Sequence, residues 1–309
     1  MQEAREPAPG TLEVRPLHAR FAAEMLGADL HAAPTPPLVA AVESAMARFA
    51  VLVIRHQLIS DAEHIRFSRA FGPLELPPKM GTRLGGRLRR ELYDASNLDD
   101  NGELLAADSP KRSYNRGNEL FHTDSSFNSL PTKWSLLLAH VLPPQGGNTE
   151  LIDTREVYDD LDAASQARLE NLSAEHWLWH SRAKGGFASV TEEMRRLFPP
   201  VRHKLVRITP NGRRALYIGA HASHIVELPR AEGETLLREL YERATQPQYV
   251  YNHVWRPGDL LIWDNRCTLH RAGGGYDDLR YVRDLRRTTV NEYGPEIAST
   301  DLLEAAYFR

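Results

Sequence analysis

Residues 254–290, VWRPGDLLIWDNRCTLHRAGGGYDDLRYVRDLRRTTV, contain three short apolar runs separated by turns. The RPGD sequence at 256–259 is typical of a tight turn, and the LLIWD run after it predicts a buried strand. NRCTLH then places His270 at the end of the next strand. Short strands joined by turns favour an antiparallel β core over strands that alternate with helices.

The same pattern extends along most of the chain. Apolar alternation and short apolar runs predict further strands at 11–17, 50–56, 133–142, 148–153, 203–208, 215–219 and 249–255. Helical spacing of apolar residues predicts helices at 37–49, 60–72, 154–171, 189–198 and 229–245. Many short strands with a few inserted helices indicate a mostly-β fold, a sandwich or a barrel.

Composition limits the function classes. The 309 residues are 42% hydrophobic with a net charge of −3, which is typical of a globular protein without a general attraction for nucleic acid or anionic membranes. Cys267 is the only cysteine, so a cysteine-built zinc site is excluded. The N-terminus has no apolar segment of the signal-peptide kind, and no apolar run is long enough to span a bilayer. We therefore expect a cytoplasmic protein.

The stretch NELFHTDSSF at 118–127 places His122 and Asp124 two residues apart among bulky apolar residues. On a strand, alternation would put both side chains on one face, where they could bind one metal ion. The other interpretation is a polar pair that simply faces water. A His-x-acid pair is too common to decide between them.

Upstream, residues 77–117 are rich in Gly, Pro, Asn, Asp and Arg. This composition predicts loops with one short strand. It fits either a disordered linker or a lid over a site, and we favour a lid because no second domain-like composition follows.

The stretch 254–290 offers a third ligand. Together with His122 and Asp124, His270 would complete two imidazoles and one carboxylate, the facial triad of non-haem Fe(II) oxygenases. Taken alone, His270 could equally be a core or surface histidine.

The spacing of these residues resembles that of the taurine / 2,4-dichlorophenoxyacetate dioxygenase family. That family has His-x-Asp, then a threonine, a distal histidine and an arginine. Here 24 residues separate Asp124 from Thr149, a further 120 precede His270, and 12 more precede Arg283. The resemblance covers nearly the whole chain.

Smaller landmarks agree with the resemblance: FGPLE at 71–75, WDNR at 263–266 and RDLRRTTV at 283–290. HTDSSF, ATQPQYVYNHVW and LRRTTV look closest to the branch that acts on phenoxyalkanoate herbicides. The resemblance implies a double-stranded β-helix, or jelly-roll, core in a single domain of residues 1–309.

It also implies the cofactors and the site. His122, Asp124 and His270 would bind Fe(II), and 2-oxoglutarate would chelate the iron and place its C5 carboxylate on Arg283 and Thr149. An arginine suits this task because its rigid fork of donors matches a carboxylate. O2 would be the second cosubstrate, and ascorbate is expected to help in vitro.

The resemblance also implies residues that bind the primary substrate. By the resemblance, Arg287 is the anchor for a substrate acid group, with Asn118, the Ser125 backbone amide and the pocket residue His221 near it. The sequence offers two further sets of candidates. Lys79 and Arg83 are either cationic contacts in the lid or part of a solvated loop. Phe127, Trp177, Trp179 and Phe187 are candidates for the pocket wall, with core packing expected for at least half of them.

Two departures from the family pattern concern this side. Pro77 stands near where the taurine branch has a histidine for the sulfonate, which counts against a taurine-like substrate. The sequence AGGGYDD at 272–278 lengthens the loop before Arg283 and could shift the register of that arginine.

The function expected from the sequence is hydroxylation of a small aryloxyalkanoate such as 2,4-dichlorophenoxyacetate, giving a phenol, an oxo-acid, succinate and CO2. The same chemistry on a sulfonate or alkyl sulfate is an alternative. A zinc hydrolase, or a sandwich that only binds a small acid, are alternatives from other classes. We expect a small anionic organic substrate, no nucleic-acid or membrane partner, and a homo-oligomer.

Overall fold

The computed structural model describes residues 11–76, 87–188, 190–294 and 296. Its strands, in chain order, are β1 Glu13–Pro16, β2 Ala23–Leu26, β3 Val51–Ile54, β4 Tyr93–Asp94, β5 Thr132–Val141, β6 Thr149–Asp153, β7 Ser173–His176, β8 Val201–Lys204, β9 Val206–Ile208, β10 Arg214–Leu216, β11 Ala222–Ile225, β12 Val250–His253, β13 Leu260–Asp264, β14 Thr268–Ala272 and β15 Asp284–Asn291.

The helices of the described residues are α1 Pro36–Phe49, α2 Asp61–Arg69, α3 Pro110–Asn115, α4 Thr154–Asp159, α5 Ala163–Leu169, α6 Leu178–Lys184, α7 Glu192–Leu197 and α8 Arg230–Ala244, with short 3-10 helices at Arg116–Glu119 and Pro247–Tyr249. Local signals set their starts. The Ser60 side chain accepts a hydrogen bond from the Glu63 backbone, and Glu63 bonds back to the Ser60 backbone, so α2 begins with a capping box.

Two sheets form the central part of the molecule. The larger has seven strands in the order β1-β2-β3-β13-β5-β15-β4, in which only β2 and β3 pair in parallel. A smaller sheet has the order β12-β6-β14. The remaining strands form a three-stranded sheet, β11-β7-β8, and the pair β10-β9.

Alternation along the large sheet builds two apolar layers. Leu136 and Ile262 face the layer shared with α1 and α2, whereas Leu137 and Trp263 face the opposite way. On that second side they pack with Leu151 of β6, so this layer lies between the large and the small sheet. The neighbouring β6 residue, Ile152, faces a third layer with α8.

The strands predicted from the sequence are present in the structure, most of them one to three residues shorter than expected, and the predicted strand at 203–208 is divided between β8 and β9. The sequence did not predict the strands β2, β7 and β11 or the helix α6. The predicted helix at 154–171 is two helices, α4 and α5, because Asp162 caps a new helix start. The loop region upstream of residue 118 contains the expected short strand β4, and also a helix, α3, that the composition did not indicate. Within the described residues, no helix is long and apolar enough to cross a membrane.

Candidate metal and ligand site

His122 and His270 lie side by side on paired backbones. Their amide groups exchange two hydrogen bonds, of 3.0 Å and 2.9 Å, and this single bridge adds His122 to the edge strand β14. Residues 124–127 then form a turn, in which Ser125 has a φ of 54°. The stretch 118–127 is therefore not the alternating strand that the sequence suggested. Instead, His122 pairs with His270 and the chain then turns at Asp124, and this brings the His122 and Asp124 side chains together.

His122, Asp124 and His270 each offer one ligand atom, and these atoms lie within 4.8 Å of one another. The Nε2 atom of His122 is 3.9 Å from one carboxylate oxygen of Asp124, and the Nε2 atom of His270 is 3.6 Å from the other. All three side chains are buried. The structure thus brings together the three residues that the sequence singled out.

The electrostatic environment favours the protonation states that metal ligands need. Burial lowers the pKa of His122 to about 4 and lowers the pKa of His270 well below its ordinary value, so both imidazoles are neutral near pH 7. Burial opposes ionisation of Asp124, but the charge of Arg287, the two neighbouring imidazoles and the Ser135 hydrogen bond together outweigh burial and lower the pKa of the carboxyl group. Two neutral imidazoles and one carboxylate are the donor set for a divalent cation.

Two neighbours fix Asp124. The Ser135 hydroxyl donates to one carboxylate oxygen at 2.7 Å, and the Arg287 guanidinium forms an ion pair with the other oxygen. The His122 ring is fixed in turn, because its Nδ1 lies 2.8 Å from the Leu120 carbonyl and leaves Nε2 to face the site. Such outer hydrogen bonds commonly orient metal ligands.

A cavity of about 410 Å³, called here the larger cavity, opens beside His122 and His270. Thr149 and Arg283, which the family resemblance implies as the cosubstrate residues, both line it. Arg283 is buried, donates from Nε to the Gly147 carbonyl at 2.9 Å, and forms no ion pair with a described carboxylate. Burial lowers the pKa of this guanidinium. A buried cation without a carboxylate partner is a site for an anionic ligand.

A second cavity of about 60 Å³, called here the smaller cavity, is also lined by His122. The predicted substrate residues line it: Asn118, Ser125, His221 and Arg287. Asn118 and Arg287 also line the larger cavity, so the two cavities meet at the metal triad. The extra length of the glycine loop does not remove Arg283 and Arg287 from the site.

The four aromatic candidates divide between the cavity wall and the apolar core. Phe127 lines the smaller cavity, but Trp177, Trp179 and Phe187 line neither cavity. They pack in an apolar cluster behind it, where the Trp179 indole donates to the Met194 carbonyl. Other apolar and aromatic residues take their place at the wall: Tyr93, Tyr114, Leu178 and Phe198. Lys79, Arg83 and Pro77 lie outside the described residues.

The sequence reasoning missed one buried cation in this region, Arg182 of α6. Its surroundings give no local signal, because LWHSRAK is an ordinary short helical sequence. Glu75 was missed as well. It lines the smaller cavity and accepts hydrogen bonds from Ser125 and Asn128.

The comparisons with known proteins agree with this geometry. The family model described as taurine catabolism dioxygenase TauD, TfdA family, matches residues 13–289. The chain belongs to this family and is a 2-oxoglutarate-dependent dioxygenase, an oxidoreductase.

Individual relatives extend over most of the chain. An alpha-ketoglutarate-dependent 2,4-dichlorophenoxyacetate dioxygenase of Burkholderia sp. (strain RASC) is 44% identical over 89% of this chain and 92% of its own. An (S)-phenoxypropionate/alpha-ketoglutarate-dioxygenase of Sphingobium herbicidovorans is 36% identical over 84% of this chain and 88% of its own. The crystal structure of AAD-2 in complex with Mn(II) and N-oxalylglycine superposes with a TM-score of 0.84 at 42% identity, covering 93% of this chain and 99% of the other.

Proposed function

We propose that the chain hydroxylates a small aryloxyalkanoate such as 2,4-dichlorophenoxyacetate, with release of the corresponding phenol, an oxo-acid, succinate and CO2. The observation that carries the proposal is a buried His-Asp-His triad whose residues line two cavities, each of which also contains a buried arginine. The printed names of relatives at 44% and 36% identity support the substrate class.

His122, Asp124 and His270 would hold the Fe(II) ion. They fit it because two neutral imidazoles and one ionised carboxylate, whose ligand atoms lie within 4.8 Å of one another, are the donor set of non-haem iron sites. The bound ion supplies the activation of O2 that couples decarboxylation of 2-oxoglutarate to hydroxylation. Ser135 and the Leu120 carbonyl keep two of the ligands in their orientation.

Arg283 and Thr149 would hold the C5 carboxylate of 2-oxoglutarate. The guanidinium is buried and has no described carboxylate partner, so an incoming carboxylate would complete a charge-assisted pair. The Thr149 hydroxyl accepts a hydrogen bond from the Trp255 indole at 3.1 Å. Since the indole uses an acceptor position, the hydroxyl proton is available for the ligand.

Arg287 would hold the substrate acid group. Its Nη1 atom is engaged by Asp124, but its Nε atom is buried without a hydrogen-bond partner among the described residues. Asn118, the Ser125 amide and His221 border the same space. Positioning and exclusion of water are the protein's share of the reaction, since the reacting carbon must be presented to the metal in a buried site.

We also propose that the two central sheets are the faces of a jelly roll in a single domain. The layer in which Leu137 and Trp263 pack against Leu151 and Trp255 supports this, because it joins the large sheet to the small one. The homo-oligomer and the cytoplasmic location stay predictions.

A panel assay tests the function. The purified chain is incubated with Fe(II), ascorbate and 2-oxoglutarate, and each organic acid is scored for succinate, for phenol by a colorimetric reaction, and for sulfite. We expect 2,4-dichlorophenoxyacetate or a close aryloxyalkanoate to release phenol far faster than taurine releases sulfite. The Asp124→Ala variant is the inactive control.

The other outcomes separate the alternatives. Efficient sulfite release from taurine, or turnover of an alkyl sulfate, without phenol from any aryloxyacid would exclude the proposed substrate and leave the dioxygenase chemistry intact. Zinc-supported hydrolysis independent of 2-oxoglutarate would exclude the proposed function altogether and would leave Thr149 and Arg283 without a role.

A further inference from the structure

Arg182 is a buried cation at the wall of the smaller cavity. Its residue exposure is 5%, and it forms no ion pair with any carboxylate of the described part of the chain. The Nη1 atom donates to the Asn118 side-chain oxygen at 2.9 Å and to the Tyr114 carbonyl at 3.2 Å. Nε is buried and has no hydrogen-bond partner among the residues that the structure describes. Nη1 is thus held by two neutral oxygens, whereas Nε remains without a described partner.

Two glycines allow the guanidinium to lie where it does. A Cβ atom on Gly117 would overlap Nη1 of Arg182, and one on Gly185 would be 2.8 Å from the Gly117 backbone nitrogen. Gly117 lies in the 3-10 helix before His122, and Gly185 directly follows α6. The absence of both side chains lets α6 approach the 3-10 helix closely enough to bring Arg182 to the cavity. The Tyr114 ring covers the guanidinium, with its centroid 4.1 Å away.

The other charged groups at this cavity have partners of their own. Asp124 and Arg287 pair with each other, and Glu91 pairs with Arg69. Glu75 accepts hydrogen bonds from Ser125 and Asn128. Among the described residues that line the smaller cavity, Arg182 is thus the cation without a paired carboxylate. Burying a guanidinium in this way is costly unless an anion joins it.

We propose that Arg182 is a second anchor for the acid group of the substrate, acting beside Arg287, and that it selects organic anions over neutral analogues. The inference rests on the proposed function and deepens it. Asn118 then has a defined task, which is to hold Arg182 in position through its side-chain oxygen. Arginine suits the task because two nitrogens of one fork can contact both oxygens of a carboxylate.

Direct binding tests the inference without turnover. The full chain is loaded with Mn(II) and N-oxalylglycine, and calorimetry measures the dissociation constants of 2,4-dichlorophenoxyacetate and of 2-(2,4-dichlorophenoxy)ethanol, which lacks the acid group. We expect Arg182→Met to weaken binding of the acid by about ten- to a hundredfold and to leave the alcohol nearly unchanged, as expected for loss of a hydrogen bond to a charged group. Arg182→Lys should recover part of the loss.

Gly117→Ala is the companion variant, because it displaces the guanidinium while keeping the charge. It should also weaken the acid selectively. Arg195→Met is the matched control, since it removes one positive charge from an exposed position on α7. Thermal unfolding of each variant shows whether the fold is intact.

The possible outcomes separate the two proposals. If Arg182→Met leaves acid binding unchanged, or weakens acid and alcohol equally, the anchor role is wrong while the dioxygenase function stands. If wild type binds no aryloxyacid, the proposed substrate class is wrong, and the same variants are measured with the sulfonate or sulfate ester that the panel identifies. If wild type binds no organic anion, both proposals are wrong.

Discussion

The two cavities beside the metal triad are built from different parts of the fold. In the larger cavity, Thr149 comes from β6 of the small sheet, and Arg283 directly precedes β15 of the large sheet. In the smaller cavity, Arg182 comes from the seven-residue helix α6, and Ser125 comes from a turn with a positive φ. The proposed cosubstrate side therefore belongs to the sheets. The proposed substrate side takes Arg287 from β15 of the large sheet, and Arg182 and Ser125 from a helix and a turn inserted between strands.

This difference has a functional meaning. A strand position is fixed by its ladder of backbone hydrogen bonds, so Thr149 opposite Ala272 and His253 has little freedom to move. Helix and turn segments tolerate change more easily, and specificity commonly resides on them. The metal and cosubstrate residues can then stay constant while the substrate side varies.

The largest effect should come from the triad that both cavities share. His122→Ala, Asp124→Ala and His270→Ala each remove one of three ligands, so Fe(II) binding and turnover should be lost while the fold is retained. Metal titration measures Fe(II) binding, and circular dichroism shows whether the fold is retained. His224→Gln is a suitable control, because His224 lies outside both cavities. An unaltered metal affinity in any of the three variants would remove that residue from the triad.

Arg283→Met should act on the larger cavity alone. It removes the proposed partner of the C5 carboxylate, so the KM for 2-oxoglutarate should rise by at least about thirtyfold, the lower end of the cost of breaking a buried charge pair. The dissociation constant of the primary substrate should change little. Steady-state kinetics with each substrate varied in turn gives both values. A main effect on the primary substrate instead would mean that the two cavities have been assigned the wrong way round.

Much of the larger cavity could be predicted from the sequence. His122, Asp124, Thr149, His270 and Arg283 stand at recognisable spacings, and all but Arg283 and Asp124 lie on paired backbone whose register is set by alternating apolar residues. The triple glycine did not displace Arg283. The irregular backbone at Asp124 was not predicted, because an HTD sequence fits a strand as well as a bridge followed by a turn.

In the smaller cavity, most of the lining residues that were predicted are those that the family resemblance implied. Nothing in the local sequence indicates that Arg182 is buried without a carboxylate partner, since this depends on the approach of two segments 64 residues apart in the chain. Nor does local sequence separate Phe127, which lines the cavity, from Trp177 and Trp179, which pack behind it. Aromatic residues at such spacing fit a core and a ligand wall equally well.

Arg287→Met should give a smaller effect than Arg283→Met, on the other cavity. Binding of 2,4-dichlorophenoxyacetate should weaken by about ten- to a hundredfold, whereas the KM for 2-oxoglutarate should stay within about twofold of wild type. The effect is limited because Arg182 would still contact the acid group. The double variant with Arg182→Met should therefore lose more than either single variant. If the single and double variants lost the same amount of binding affinity, the two arginines would not both contact the same acid group.

The smallest effect should come from Trp255→Phe, which alters the larger cavity without removing a proposed ligand contact. The indole donates to the Thr149 hydroxyl at 3.1 Å and so orients the proton of that hydroxyl toward the cavity. Phenylalanine keeps most of the aromatic volume but cannot donate. The KM for 2-oxoglutarate should rise about two- to tenfold, the usual value of one neutral hydrogen bond, with kcat nearly unchanged.

A double-mutant cycle with Thr149→Val shows whether this effect passes through the hydroxyl. Once the hydroxyl is gone the indole has nothing to orient, so the double variant should resemble Thr149→Val alone. Trp177→Phe is the matched control, because its indole donates to the Phe198 carbonyl and the residue lines neither cavity. Additive losses would mean that Trp255 acts by packing against its neighbours. In that case the backbone pairing of β6, and not the indole, would orient Thr149. The position of this cosubstrate residue would then be set by the sheet alone.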